Sequence, residues 1–191
     1  MSSNVHIGHN RWLSNNKIKP FLIGYKHSLN FINLYYTNLQ LKLLINFIYN
    51  TTSLRQKILI VNEFGSLNFN NLFSNLRNVF YIKNKWTGGS LTNFKLVRRN
   101  SQNSLKNMKF MPSIVILFDS TLSKTALFEC LNLEIPTSVI LDSNSPFLEI
   151  INYPIIGNNR SVESLYFYSY LFRNAILKGV KKECLNILQI V

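Results

Sequence analysis

Apolar runs too short for helices recur along this chain. They are Lys57-Ile-Leu-Ile-Val61, Val79-Phe-Tyr-Ile82, Ser113-Ile-Val-Ile-Leu-Phe118 and Ile135-Pro-Thr-Ser-Val-Ile-Leu141. A strand with one wet face alternates apolar and polar residues. These hardly alternate, so they read as strands covered on both faces. Helical patterns lie between them. Residues 66–77 carry Leu67, Phe69, Leu72, Phe73 and Leu76 at an approximate 3.6-residue period, and a second helix is expected from Asp119 to about Leu133. A last helix, about Ser161 to Lys178, sets Leu165, Tyr168, Phe172 and Ile176 on one side. Such alternation predicts a doubly wound α/β domain, a parallel sheet with helices on both faces.

The flanking segments fit the same plan. Leu29 to Leu34 is a short β-like run. Thr37 then opens a helix whose Leu39, Leu41, Leu43, Leu44, Ile45, Phe47 and Ile48 point nearly all round, which predicts deep burial. Ile150 to Ile155 adds an edge strand in which Pro154 limits pairing. The 191 residues suffice for one domain, 27–191, preceded by a basic arm, 1–26, that reads as irregular.

Charge narrows the function. Lys+Arg number 21 against 8 Asp+Glu, a net +13. A folded chain with that excess repels itself unless a polyanion neutralises it. Nucleic acid is the leading partner class and an anionic membrane surface the second. Two stretches hold the cations. The arm carries His6, His9, Arg11, Lys17, Lys19 and Lys26 around Trp12 and Pro20. The second runs Lys85-Trp-Thr-Gly-Gly-Ser-Leu-Thr-Asn-Phe-Lys-Leu-Val-Arg-Arg99. Its Gly88-Gly89 pair allows close backbone approach or positive φ. Thr92-Asn93 reads as a helix start with Thr92 as N-cap, and Lys95, Arg98 and Arg99 follow on one face. Free N–H groups at such a turn, with cations beyond it, suit a row of phosphates. The plainer alternative is a tight turn before a solvated basic helix.

Catalytic patterns are missing. Neither phosphate-binding glycine loop, G-x-G-x-x-G or G-x-x-x-x-G-K-[ST], occurs, and all three His lie in the first 27 residues. Asp119 and Asp142 end adjacent strands. They either hold Mg²⁺ for a small nucleotide-binding enzyme or, as Asp at a strand end more often does, cap a turn. His6 and His9 lack a third ligand for a metal, so no cofactor is expected. Cys130 and Cys184 read as ordinary buried thiols.

Four blocks in order then carry a resemblance. His6-Ile-Gly-His9 with Arg11-Trp12, Lys19-Pro20-Phe21 and Ile32-Asn33-Leu34 open it. Lys57 to Val61 with Trp86-Thr-Gly-Gly-Ser-Leu-Thr-Asn93 follow. Pro112 to Asp119 with Glu129 and Ile135-Pro136 come third, and Asp142-Ser-Asn144 with Tyr153-Pro-Ile-Ile-Gly-Asn158 close it. Along nearly its whole length the chain resembles the bacterial and organellar small-subunit ribosomal protein two family. The resemblance implies a flavodoxin-like sheet flanked by helices and a non-catalytic structural constituent of the small ribosomal subunit. Its partners would be small-subunit rRNA, met on the solvent side near the head–body junction, and neighbouring subunit proteins. Neither a membrane nor a second copy of the chain is implied.

The rRNA-binding residues it then suggests are His9, Arg11, Trp12, Lys17, Lys19, Lys26, Lys85, Trp86, Gly88, Gly89, Thr92, Asn93, Lys95, Arg98, Arg99, Asn158 and Arg160. Trp86 either stacks on a base or packs beneath its own loop. Two departures stand out. The family's long helical hairpin before Pro112 shrinks to about a dozen polar residues, and the acidic pair of the closing loop is replaced by Asn159-Arg160. Abundant Asn, Ile, Phe, Tyr and Lys, whose codons are A+T-rich, with Ala only at 126 and 175, point to an organellar genome. The N-terminus lacks the features of a signal peptide or an import presequence. A mitochondrial ribosome is therefore expected, a plastid one being the alternative.

Overall fold

The structure, a computed structural model, describes residues 3–64, 69–83, 85–95, 108 and 110–188. A five-stranded parallel sheet forms its centre. In chain order its strands are β4 (Ile58–Val61), β5 (Val79–Ile82), β6 (Ile114–Leu117), β7 (Thr137–Leu141) and β8 (Tyr153–Ile156), and across the sheet they run β5-β4-β6-β7-β8. The first strand in sequence thus lies second from the edge, the flavodoxin-like order, with its switch point between β4 and β6. β8 is the edge strand expected around Pro154, which pairs with Val139.

Both faces are dry, as the unbroken runs require. Ile58, Ile60, Ile114, Ile116 and Ile140 point to one side. There they meet Leu41, Leu44 and Ile48 of α1 (Leu34–Ser53) and Leu165, Tyr168, Phe172 and Ile176 of α4 (Val162–Leu188). Phe69 and Phe73, at the short α2 (Asn70–Phe73), complete that layer. Leu59, Val61, Val115, Leu117, Val139 and Leu141 point to the other side. They meet Ala126, Leu127 and Cys130 of α3 (Lys124–Asn132), with Trp86 and Leu91. At about 25 cal/mol per Å² of apolar surface, these two layers dominate the fold's stability.

Several expectations change. α1 begins three residues early, because Asn33 is extended and its Oδ1 accepts from the Tyr35 amide at 3.0 Å. Thr37 lies inside the helix, and its hydroxyl donates to the Ile156 carbonyl at 2.6 Å. α1 is also not buried all round: Leu34, Tyr35, Leu39 and Leu43 are exposed. The helix expected over 66–77 is a single turn, residues 65–68 lying outside the described set. Cys184 is exposed, whereas Cys130 is buried.

The largest change is at the N-terminus. Instead of an irregular arm, β1 (Ile7–Asn10) and β2 (Leu22–Lys26) join β3 (Leu29–Ile32), the β-like run expected from Leu29, in a second, antiparallel sheet of order β1-β3-β2. Lys26 pairs with Leu29 across a two-residue turn in which His27 and Ser28 both have positive φ (48° and 65°). That is the geometry of a type I′ hairpin, built here without the usual Asn-Gly.

Candidate nucleic-acid interface

The two cation-bearing stretches sit at the carboxyl ends of the parallel strands, where doubly wound folds bind ligands. Lys85 to Lys95 follows β5 at one edge of the sheet. Within it the Trp86 ring is 5% exposed, in contact with the α3 layer. The anchor is Glu129 of α3, itself 8% exposed. Its Oε1 accepts from the indole Nε1 at 3.0 Å and the Gly89 amide at 2.8 Å, and its Oε2 from the amides of Leu91 at 2.8 Å and Thr92 at 3.3 Å. Amides that looked free for phosphates therefore close onto an internal carboxylate, and Trp86 packs beneath its loop. Gly89 takes φ +85°, which makes the fold-back possible. Burial, reinforced by the Glu129 charge, pushes the adjacent Cys130 thiol up to about 12, so that sulfur stays protonated.

At the other edge, the carboxyl ends of β7 and β8 hold the N-terminal sheet. Asp142 accepts from the His9 amide at 3.1 Å and from His9 Nδ1 at 2.9 Å, and Ser143 Oγ accepts the same amide at 2.8 Å. A Cβ on Gly8 would stand 3.0 Å from Ser143 Oγ and 3.1 Å from Asp142 Oδ1, so this contact is set by backbone proximity. Asn158 donates to the Asn4 carbonyl at 3.1 Å, and its Oδ1 accepts from the amides of Arg160 at 2.8 Å and Ser161 at 3.0 Å, leading into α4. Ile18, Ile32 and Ile156 seal the seam with a small apolar cluster.

Burial sorts the predicted residues. His9 and Asn158 fasten one sheet to the other. Lys17 is paired with Glu149 at 2.5 Å on the surface. Arg11, Trp12, Lys19 and Lys26 are exposed on the N-terminal sheet, Lys85, Gly88, Thr92, Asn93 and Lys95 on the Trp86 turn, and Arg160 beside His9 and Asn158. Arg98 and Arg99 lie outside the described residues, as does most of the helix expected after Thr92.

The proposed Mg²⁺ pair is occupied internally. Asp119 Oδ1 accepts from the Thr121 amide at 2.5 Å, the Thr121 hydroxyl at 2.6 Å and the Leu122 amide at 3.2 Å. Its Oδ2 accepts from Asn159 Nδ2 at 3.1 Å. Asp119 is thus the turn cap of the second reading, and Asp142 an anchor for His9.

With this geometry in view, the comparisons are direct. A model of the ribosomal protein S2 family matches residues 1–105 and 99–179. This chain belongs to that family. The two matched stretches overlap at residues 99–105, between the Trp86 turn and β6. Small ribosomal subunit protein uS2 of Buchnera aphidicola is 28% identical, over 96% of this chain and 91% of the relative. Those of Acidiphilium cryptum and Pseudoalteromonas atlantica are each 26% identical, over 96% and 95% of this chain and 85% and 90% of theirs. The Buchnera alignment spans 220 positions, more than this chain's 191 residues, so that S2 protein carries stretches absent here.

In this S2 chain the sequence reading missed two working residues. Glu129 was visible as a carboxylate three residues after Ala126, on the buried face of a helix. Tyr25, whose ring lies 3.8 Å beneath the Arg11 guanidinium, gave no signal, because the hairpin that presents it was not foreseen. The Asp142 anchor is testable. Asp142→Ala should cost about 2–3 kcal/mol, the worth of hydrogen bonds to a charged group in a buried seam. It should also make residues 3–32 cleavable by protease at low dose. An unchanged digestion pattern would show that the apolar seam alone holds the layer.

Proposed function

We propose that this chain is a structural, non-catalytic constituent of a mitochondrial small ribosomal subunit. It binds small-subunit rRNA on the solvent side near the head–body junction, through the carboxyl-end surface of its sheet. One observation carries the reading: five of the eight carboxylates already have partners within the chain. Glu129, Asp119 and Asp142 accept internal N–H groups, while Glu149 and Glu183 pair with Lys17 and Arg55. Among the described residues none of Arg11, Lys19, Lys26, Lys85, Lys95 and Arg160 has a carboxylate partner. They are left to face phosphates, which position an RNA without reading its sequence. The family membership supports the subunit, and the A+T-type composition supports the organelle.

The test is sedimentation of organelle extract through salt gradients while probing for this chain. It should travel with the small subunit at low salt and leave it as salt rises. Lys85→Ala with Lys95→Ala should move release to lower salt and reduce the salt slope by about two, one per phosphate lost. A chain that stays at the top of the gradient at every salt sinks the assignment. Fractionation of mitochondria from plastids decides the compartment.

A further inference from the structure

Trp12 and Trp86 are the two tryptophans of this chain, and they have opposite surroundings. Trp86 is 5% exposed and Trp12 86%. The exposure of Trp12 is built in. It sits in a 3-10 turn, Arg11–Leu13, whose backbone is fixed by Asn10 Oδ1 accepting from the Trp12 amide at 3.3 Å and by Ser14 Oγ donating to the Arg11 carbonyl at 2.8 Å. Beside it a hollow of about 610 Å³ opens between that turn and β2. Arg11, Trp12, Asn16, Lys19 and Tyr25 stand around it, and among the described residues no carboxylate lines it. The Arg11 guanidinium carbon lies over the Tyr25 ring, 3.8 Å from its centroid. Such stacking holds the fork of N–H donors in place and leaves its outer face open.

We infer that this hollow seats one unpaired nucleotide of the RNA, its base stacked on Trp12 and its phosphates met by Arg11 and Lys19. This rests on the rRNA-binding reading above and adds the form of RNA recognised. A base inside a duplex has both faces covered by its neighbours and cannot offer one to an indole. A base in a loop, bulge or single strand can, and aromatic rings with guanidinium planes are its usual platform. The polar, cationic rim argues for a nucleotide over an apolar protein segment, which would bury Arg11 and Lys19 without a counter-charge.

The full-length chain is titrated with oligo(A), as the single-stranded probe, and with a blunt RNA duplex of the same length. Oligo(A) should quench tryptophan emission in the native chain and leave it unchanged in Trp12→Phe, where only buried Trp86 emits. Trp12→Ala should weaken oligo(A) about 10- to 100-fold, the range for one stacked base, with the salt slope and duplex binding unaltered. Trp12→Phe should recover most of that loss. Because Trp12 is exposed, both variants should melt with the native chain. Oligo(A) affinity unchanged in Trp12→Ala would overturn the base-stacking site while leaving phosphate binding intact, as would an equal loss toward the duplex. Failure of the native chain to bind either RNA at low salt would instead sink the RNA-binding reading, and the site with it.

Discussion

Replacing Glu129 by Ala should cost about 2–5 kcal/mol and lower the melting temperature by roughly 10 °C in a chain of this size. The carboxylate accepts from Trp86 Nε1 and from the amides of Gly89, Leu91 and Thr92. Leu91 and Trp86 are buried, so their donors lose their partner with no water at hand, while Gly89 and Thr92 can turn to solvent. Each buried N–H left unpaired costs about 1–3 kcal/mol. Glu129→Gln keeps the shape but aims an NH₂ group at two of the four donors, so it should cost about half as much. In a Trp12→Phe background, emission reports Trp86 alone and should shift to the red as the indole meets water. RNA release should move to lower salt, because Lys85 and Lys95 ride on this turn. Melting and emission both unchanged in Glu129→Ala would refute the anchor.

Gly179→Ala should be as damaging, by overpacking. A Cβ at 179 would stand 1.7 Å from Thr52 Oγ1, 2.7 Å from Thr52 Cβ and 2.8 Å from the Tyr49 carbonyl. Rotating Thr52 relieves only the first of these. The Cβ and the backbone oxygen remain, so α1 and α4 must part along a seam formed by Ile48, Ala175 and Ile176. A loss of about 3 kcal/mol, the upper end of the overpacking range, is expected in thermal or denaturant melts. Thr52→Ala combined with Gly179→Ala should recover part of it, since the Oγ1 clash goes and the carbonyl clash stays. A single variant that melts with the native chain would mean that the helices slide apart at little cost.

The parallel sheet was legible in the sequence because its signal is local. Ile58-Leu-Ile-Val61 and Ile114-Val-Ile-Leu117 have no polar residue to face solvent, which leaves them only the middle of a covered sheet. Of the N-terminal sheet only β3 was legible, as the run from Leu29. β1 and β3 pair across the 3-10 turns Arg11–Leu13 and Lys19–Phe21 and the whole of β2, and the hairpin turn His27-Ser28 reaches positive φ without Gly or Asn. The exposed cations were found, since charge survives folding unchanged. Their neighbours were missed, because Glu129 reaches a loop some forty residues earlier in the chain. No local pattern encodes that contact, and it turned a set of supposed phosphate ligands into a closed turn.

The bond from His9 to Asp142 joins residues 133 apart in the chain. During synthesis, β1 to β3 leave the ribosome first, yet Asp142, Ser143, Ile156 and Asn158 emerge only after three-quarters of the chain has been made. Contacts this distant form late, because the loop they close must be ordered before they repay its entropy. A basic, carboxylate-free part of the nascent chain thus waits, unfastened, while the parallel sheet assembles behind it. Under the proposed function, competence to grip RNA in a defined geometry then becomes the last property the chain acquires. A copy interrupted before β7 carries the charge of the finished subunit without its shape.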